Sequence, residues 1–598
     1  MRRLFLLLLL AGFASCSLKE HNPSGFTIES VAASSVEGYR NLVNNCYFGM
    51  ERQLYGYNQW MMFCEAGTDI WTYQKNGISF SQFFKYGAGA SVNLTMGNGV
   101  WNSCYDGIGS CNTAIKYAPM APFTSEEKRN EVVAEAHFLR AMYYYNLVEQ
   151  FGGVTATTDV VVNVNLRPER AVPIEIYKNI IIPDLEFAVK WLPVNNGITK
   201  PSKKSALGFL ARAYLQTVEY DETKSLAGKA LETAKLLIDD CESGGSIYNT
   251  YLYPTFNDVF LESNNASNRE ALWAHRFVVG GVSNNAWFMN MNNELFYSVV
   301  TDFGAIQQLG ADYTTWGRRS GGQFMPSAYL LNLYVQPGGT LDPRYHQSFQ
   351  TTWTVNKANY TWTEAALKIF DRSNAVTTST TLNAGDVAID FVHPLDPDYT
   401  AKVADKLAQP YLVVDYADVY ENRSVKMQYN RVNRPLDGGG TQTTNPFFSF
   451  YPSLMKHNSS NYYTNNPSNN RYGNLNATFM MRMAEVYLIA AEADIYVNGG
   501  ANALQYINKI RSRAGAELLT GMPDVQAVLD ERARELCGEY VRYYDLKRTK
   551  KLNKTYLTQT NPDVGQYFID GQHEVRPIPT GFLNTLQDGG AYYQNPNY

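Results

Sequence analysis

Two stretches of this chain set flat aromatic rings beside amide, carboxylate and guanidinium groups. Glu65–Gln74 carries Asp69, Trp71, Tyr73 and Gln74 just after an apolar run. Asp302–Gly321 carries Gln307, Asp312, Tyr313, Trp316, Arg318 and Arg319 in a glycine-bearing region. That mixture suits a ligand with C–H faces and hydroxyl edges, such as a sugar ring. Aromatic side chains cover the faces, and polar side chains exchange hydrogen bonds with the rim. Asp69, Trp71, Tyr73, Tyr313, Trp316 and Arg318 are therefore the candidate ligand contacts. Trp287 and Trp362 are weaker candidates, and Tyr462 and Tyr463 lie in an Asn-rich loop. Each tryptophan has a plainer alternative, the closing of a hydrophobic seam. That alternative is preferred for Trp101, which precedes a helix.

No set of residues announces catalysis. The seven histidines are scattered, with no HExxH and no His/Cys cluster that would argue for zinc. Neither a GxxxxGK[ST] phosphate loop nor a GxSxG elbow is present. Two carboxylates across a cleft could hydrolyse a glycosidic bond. The carboxylates that stand out here fall on helical spacings among arginines instead: Arg482, Glu485 and Glu492, then Arg532, Glu535, Glu539 and Arg542. Residues three and four apart share a helix face, so these read as ion pairs fastening helices. No catalytic residue, resident metal or cofactor is expected, although the Asp- and Asn-rich loops leave room for a structural calcium. A formal net charge of -5 without a basic stripe excludes nucleic acid as the partner.

The elements that must position these groups are mostly helices, clustered at the two ends of the chain. Ser125–Gln150 opens on a capping serine and two acids, continues through Val132, Val133, Ala136, Leu139 and Tyr143, and stops before Gly152. Helices are predicted over about 172–191, 202–218 and 222–239. They return over Arg482–Val497, Ala501–Ala514 and Met522–Gly538. Large aromatics alternate with alanines at helical spacing, as in tetratricopeptide pairs, without a strict repeat. Between about 243 and 475 Asn, Ser, Thr, Gly and Tyr accumulate, helical periodicity fades, and short strand-like runs such as Tyr411–Val414 appear. Long loops are costly to order and are kept where they bind something. The expected fold is mainly α: tetratricopeptide-like helix pairs over about 30–240 and 476–598, with a large loop-rich insertion carrying short strands and the ligand region. Cys104 and Cys111 stand seven apart on a predicted helix, about 10 Å along its axis and beyond disulfide reach, so they read as buried apolar groups.

The first residues point to export. Arg2 and Arg3 precede an apolar run from Leu4 to Ala14, too short to span a bilayer, which closes on Gly12-Phe13-Ala14-Ser15-Cys16. Small residues before a cysteine resemble the recognition box of bacterial lipoproteins. Residues 1–15 are read as the signal, Cys16 as the lipidated N-terminus, 16–25 as a tether, and 26–598 as a single domain.

The C-terminal third resembles the SusD/RagB family of outer-membrane nutrient-binding lipoproteins. The likeness rests on Met481–Ala493, Asn508–Gly515 and Glu531–Leu536, followed by Glu539, Arg542, Asp545 and Arg548. It closes on Arg576–Pro579 and Gln594–Tyr598, where Asn597 stands in place of the usual glycine. Trp101–Ile108, Phe138–Tyr144 and Phe151–Gly153 resemble earlier stretches of the same family. The resemblance implies a non-catalytic lipoprotein on the outer face of the outer membrane. It would capture oligo- or polysaccharide and deliver it to a TonB-dependent, SusC-like transporter. Peptide uptake, found in one branch of the family, and glycan hydrolysis on the same scaffold are the alternatives.

Overall fold

The computed structural model describes the chain from Phe26 to Tyr598 except residues 51–53, 55–58, 74–80, 88–94, 277–323, 356–358, 363, 365–366, 368–374, 422–431, 436–440, 445–450, 457–461, 464–472, 475 and 588–591. The helices over 126–151, 182–242 and 483–536 fall where hydrophobic periodicity places them, and those over 28–45, 95–117 and 542–548 come in addition to that expectation. The main ones are α1 (Ile28–Ser34), α2 (Val36–Asn45), α3 (Thr95–Tyr117), α4 (Glu126–Phe151), α5 (Ile182–Trp191), α6 (Lys203–Gln216), α7 (Ala227–Glu242), α8 (Met483–Asn498), α9 (Ala503–Arg513), α10 (Val525–Leu536) and α11 (Arg542–Arg548).

Their ends follow from local chemistry. Ser125 caps α4 by accepting the Lys128 N–H, with Glu126 and Glu127 in the first turn, where acids complement the helix dipole. Gly499 ends α8 at φ +65°, a left-handed turn that a residue without Cβ adopts freely. Asn597 also has φ +65°. Asparagine is among the few residues that enter this region readily, which accounts for its standing where glycine is usual.

Helices from the two ends of the sequence pack as one array. α3 packs on α4, α4 on α5, α5 on α6, and α6 on α7; α7 then packs on α8, which carries α9 and α10. The α7–α8 contact joins residues separated by the whole loop-rich middle. Strands Ala271–His275 and Thr478–Arg482 pair antiparallel at its base, so the excursion leaves and returns at one ladder. Within it, Thr352–Thr354 pairs antiparallel with Val387–Val392, which pairs in parallel with Leu412–Asp415. The strand expected at Tyr411–Val414 is therefore present, shifted by one residue.

The arginines and carboxylates singled out in the sequence do form buried ion pairs that fasten elements, but with partners on other elements rather than three or four residues along one helix, and Arg482 ends the strand Thr478–Arg482. The Arg482 guanidinium donates to Glu270 (2.9 Å), Glu535 (2.6 Å) and both oxygens of Glu539 (2.8 and 2.9 Å). Arg513 also bonds Glu270 and Glu535, Arg344 bonds Asp342, Glu531 and Glu535, and Lys456 bonds Glu539. Burial works to raise the Glu539 carboxyl, but Arg482 and Lys456 outweigh it and hold it at about 2. Arg532 links Glu485 to Asp545, and Arg548 links Asp545 to Glu492. All of these groups are buried, so they fasten elements and line no cleft. Cys104 and Cys111 are likewise buried and unbridged. Trp101 is buried against Tyr105, Phe151 and Phe582, a scaffold residue as expected.

Candidate functional site

The first candidate segment starts from the short helix Gln59–Cys64, whose residues Trp60–Cys64 are all buried. Gly67, at φ +78°, turns the chain with the Tyr86 ring packed over it at the distance a Cβ would clash. Thr68 donates to the Glu65 carbonyl (2.8 Å), and Asn561 Nδ2 donates to the Thr68 and Trp71 carbonyls (2.7 and 3.0 Å). The loop thereby delivers Trp71–Tyr73 as strand β1.

Strand β1 pairs antiparallel with Phe324–Pro326, the next strand of this site, β2. The register sets Trp71 opposite Pro326, Thr72 opposite Met325 and Tyr73 opposite Phe324. Ser327 prolongs the pairing, its N–H bonding the Ile70 carbonyl (2.9 Å) and its hydroxyl the Asp69 carbonyl (2.6 Å). The chain leaves β1 at Tyr73 and enters β2 at Phe324, which are cross-strand partners. Tyr73 of the first candidate segment thus pairs with Phe324, which follows the last residue of the second, Gly321, by three positions.

The six sequence candidates do not share one fate. Asp69 is 0% exposed; both its oxygens bind Arg542 (Nε–Oδ1 2.8 Å, NH2–Oδ2 2.5 Å), and Tyr556 OH adds a third bond (3.1 Å). Trp71 is 1% exposed, its indole N–H bonded to Glu65 Oε2 (2.9 Å) and its ring meeting Phe324 edge-on. Neither Asp69 nor Trp71 presents a face to solvent. The expectation that they touch a ligand gives way here to a supporting role, because the apolar run before them continues inward. Tyr73 is 7% exposed, lies against Phe84, and has the Lys85 ammonium 5.0 Å from its ring centroid. Tyr313, Trp316 and Arg318 lie outside the described residues. Trp362 is buried, with its indole N–H on the Pro410 carbonyl (2.8 Å).

Sequence reasoning missed Lys85 and Tyr567. Lys85 lies between Tyr73 and the half-buried Tyr567 (5.7 Å), giving the ladder end a cation held between two aromatic rings. No spacing rule joins residues 73, 85 and 567, so nothing in the sequence announces them together. Glu65 was also missed. Burial pushes its carboxyl up to about 8, against the pull of the Trp71 indole and Arg542. Among the described residues no group of three or more His, Cys, Asp or Glu side chains is arranged to hold a metal ion.

Comparison with known sequences and structures agrees with this architecture. The sequence model described as "SusD family" matches residues 269–598, and one described as "Starch-binding associating with outer membrane" matches residues 32–215. SusD-like protein P2 of Formosa agariphila is 24% identical over 579 residues, spanning 92% of this chain and 91% of its own length. A SusD homolog from Bacteroides thetaiotaomicron superposes with a TM-score of 0.67 at 19% identity, covering 97% of this chain and 100% of that one. A laminarin-binding SusD-like protein gives 0.61 at 20%, covering 94% and 100%. The structural likenesses carry the fold.

Proposed function

This chain belongs to the SusD family, and from that we propose that it is a cell-surface, non-catalytic protein that captures oligo- or polysaccharide and hands it to a TonB-dependent, SusC-like transporter. The observation that carries the proposal is the β1–β2 ladder, which pairs Tyr73 of one aromatic-bearing segment with Phe324, three positions after the end of the other. The laminarin-binding relative supports glycan as the ligand class.

Capture needs no covalent step. Sugar C–H faces stack on aromatic rings, and hydroxyls exchange hydrogen bonds with polar side chains around them. Tyr73 at the ladder end, together with Tyr313, Trp316 and Arg318 of the segment that precedes Phe324, is the proposed contact set. Asp69 and Trp71 support it from beneath. A scaffold fixed by buried ion pairs lowers the ordering cost of binding. We assign residues 26–598 to one domain and the ligand region to about 243–475 with the 65–74 loop.

No described helix is long and apolar enough to cross a membrane. We assign attachment to lipid on Cys16, through the tether at 16–25. A shared membrane then raises the effective concentration of binder and transporter for each other.

The test is a binding screen of the soluble form lacking residues 1–16 against plant, host and microbial polysaccharides and peptide mixtures, with Trp316→Ala and Tyr73→Ala in parallel. Losing a stacking platform costs roughly 1–3 kcal/mol, about ten- to a hundredfold in Kd. Saturable glycan binding weakened by either variant supports both ligand class and site. Binding to peptides alone overturns the ligand class, and glycan binding indifferent to both variants overturns the site. Release of shortened glycan products overturns the non-catalytic reading.

A further inference from the structure

The loop beneath the ladder carries two fully buried carboxyls in opposite circumstances. Asp69 is matched by Arg542, which grips both its oxygens. Glu65, four residues earlier, has no such partner. Its Oε2 accepts the Trp71 indole N–H, and its Oε1 has no hydrogen-bond partner. The bonds of the Arg542 guanidinium go to Asp69 and to the Leu529 carbonyl (2.7 Å), and none of them reaches Glu65.

The other groups around Glu65 do not replace that missing charge. Cys64, on its own helix, and Cys537, before α11, are thiols that burial pushes up and keeps neutral. From α11, Tyr544 is bonded to Cys64 and Gln150. Arg576 acts on the Cys64 thiol and stacks over the rings of Phe63 and Tyr543. The backbone amides of Tyr540 and Val541 favour the ionised form, and so does Arg542, whose charge is offset by Asp69. A carboxylate buried without a cation is strained by desolvation, and a neutral acid in the same place is not.

We propose that Glu65 is the positioning residue of the β1–β2 ladder and that it works as the neutral acid, making the candidate site firmest in mildly acidic medium. The link to the site rests on the function proposed above; the link to the ladder does not. When the ladder opens, water reaches Glu65 and its proton leaves at the ordinary carboxyl value. In the closed ladder burial holds that proton until about 8. The folded value is the raised one, so the contribution is full below about 4.5 and is lost as pH rises through about 8.

The experiment is amide hydrogen exchange on the soluble form lacking residues 1–16, followed at residues 69–73 and 325–327 from pH 5.5 to 7.5. Rates are corrected for intrinsic exchange, and Glu65→Gln is measured alongside. Wild type should lose protection relative to Glu65→Gln by up to about tenfold per pH unit, since one proton is linked to opening. Glu219, raised by burial to about 7 beside Lys547, titrates in both proteins and cancels from the comparison. Parallel profiles in the two proteins overturn the proposal. Should Glu65→Gln fail to fold, Trp71→Phe takes its place. It keeps a ring and removes the N–H that favours the carboxylate, so the loss of protection must extend to higher pH, and an unshifted profile overturns the proposal. No glycan enters this measurement, so its failure is distinct from failure of the binding screen.

Discussion

Replacing Arg482 with methionine should destabilise the protein by about 3 kcal/mol at pH 7. The guanidinium is 0% exposed and bonds Glu270, Glu535 and Glu539, with a further bond from NH2 to the Glu535 carbonyl at 2.6 Å. Removing one member of a buried ion-pair network costs roughly 3–5 kcal/mol, chiefly because opposing charges are left uncompensated. Here each carboxylate keeps a second cation: Arg513 for Glu270, Arg344 and Arg513 for Glu535, and Lys456 for Glu539. The lower end of that range follows. The pH dependence then separates lost charge pairing from lost packing. Wild-type Glu539 sits at about 2, a lowered value, so its contribution is complete above about 4.5 and drains away as pH falls toward 2. In the variant Glu539 moves back up, takes its proton earlier, and no longer drains stability over that window. The difference between the proteins should narrow by up to about 1.4 kcal/mol per pH unit below about 4.5. Urea unfolding of the soluble form at pH 7, 5 and 3.5 measures it. A loss under about 1 kcal/mol at pH 7, or a difference that stays constant down to pH 3.5, would refute the reasoning.

Three further outcomes follow from the same packing. Gly107→Ala should cost about 1–3 kcal/mol in urea unfolding, because its Cβ would lie 2.3 Å from the fully buried Tyr143 ring; a neutral substitution would show that α3 and α4 can move apart freely. Wild-type unfolding midpoints should fall between pH 4.5 and 2 as the lowered carboxyls of Glu531, Glu535 and Glu539 take protons, and a midpoint flat across that window would contradict the ion-pair assignment. A reducing agent should leave the Tm of the soluble form unchanged, since Cys46, Cys64, Cys104, Cys111, Cys241 and Cys537 are all unbridged; a drop of several degrees would reveal a bridge.

The helical scaffold was legible because its signals are local. The Ser125 cap and the stop at Gly499 each act within a few residues and operate as expected, whereas the arginines and carboxylates of 482–492 and 532–542 find their partners on other elements, Arg482 on Glu535 and Arg532 on Glu485 and Asp545. The proposed site was legible only in part. Tyr73 and the segment bearing Trp316 were marked by composition, but strands of three residues have no period to read, so the pairing of 71–73 with 324–326 left no trace. Asp69 and Trp71 misled for a related reason. Near loops, polar and aromatic residues look alike whether they face solvent or close over a core. Only the arrival of Arg542 and Glu65 decides between the two. Lys85 and Tyr567 meet Tyr73 solely through tertiary structure.

The contacts of residues 592–598 have a bearing on the order in which the chain can complete its fold. Asn595 donates to the carbonyl of Phe151 (2.9 Å), the last residue of α4, and to that of Arg576, while Arg170 reaches forward to Asn595 Oδ1 (2.7 Å). The Tyr592 hydroxyl accepts the Thr155 N–H, and Lys547 donates to the Glu149 carbonyl. The end of α4 is therefore finished by residues that stand between 398 and 444 positions later in the chain. Contacts of such separation form slowly, because a long loop must close before they repay its entropy. A chain that emerges N-terminus first therefore holds this helix end open, its carbonyls unpaired, until the residues from Lys547 to Asn595 have followed.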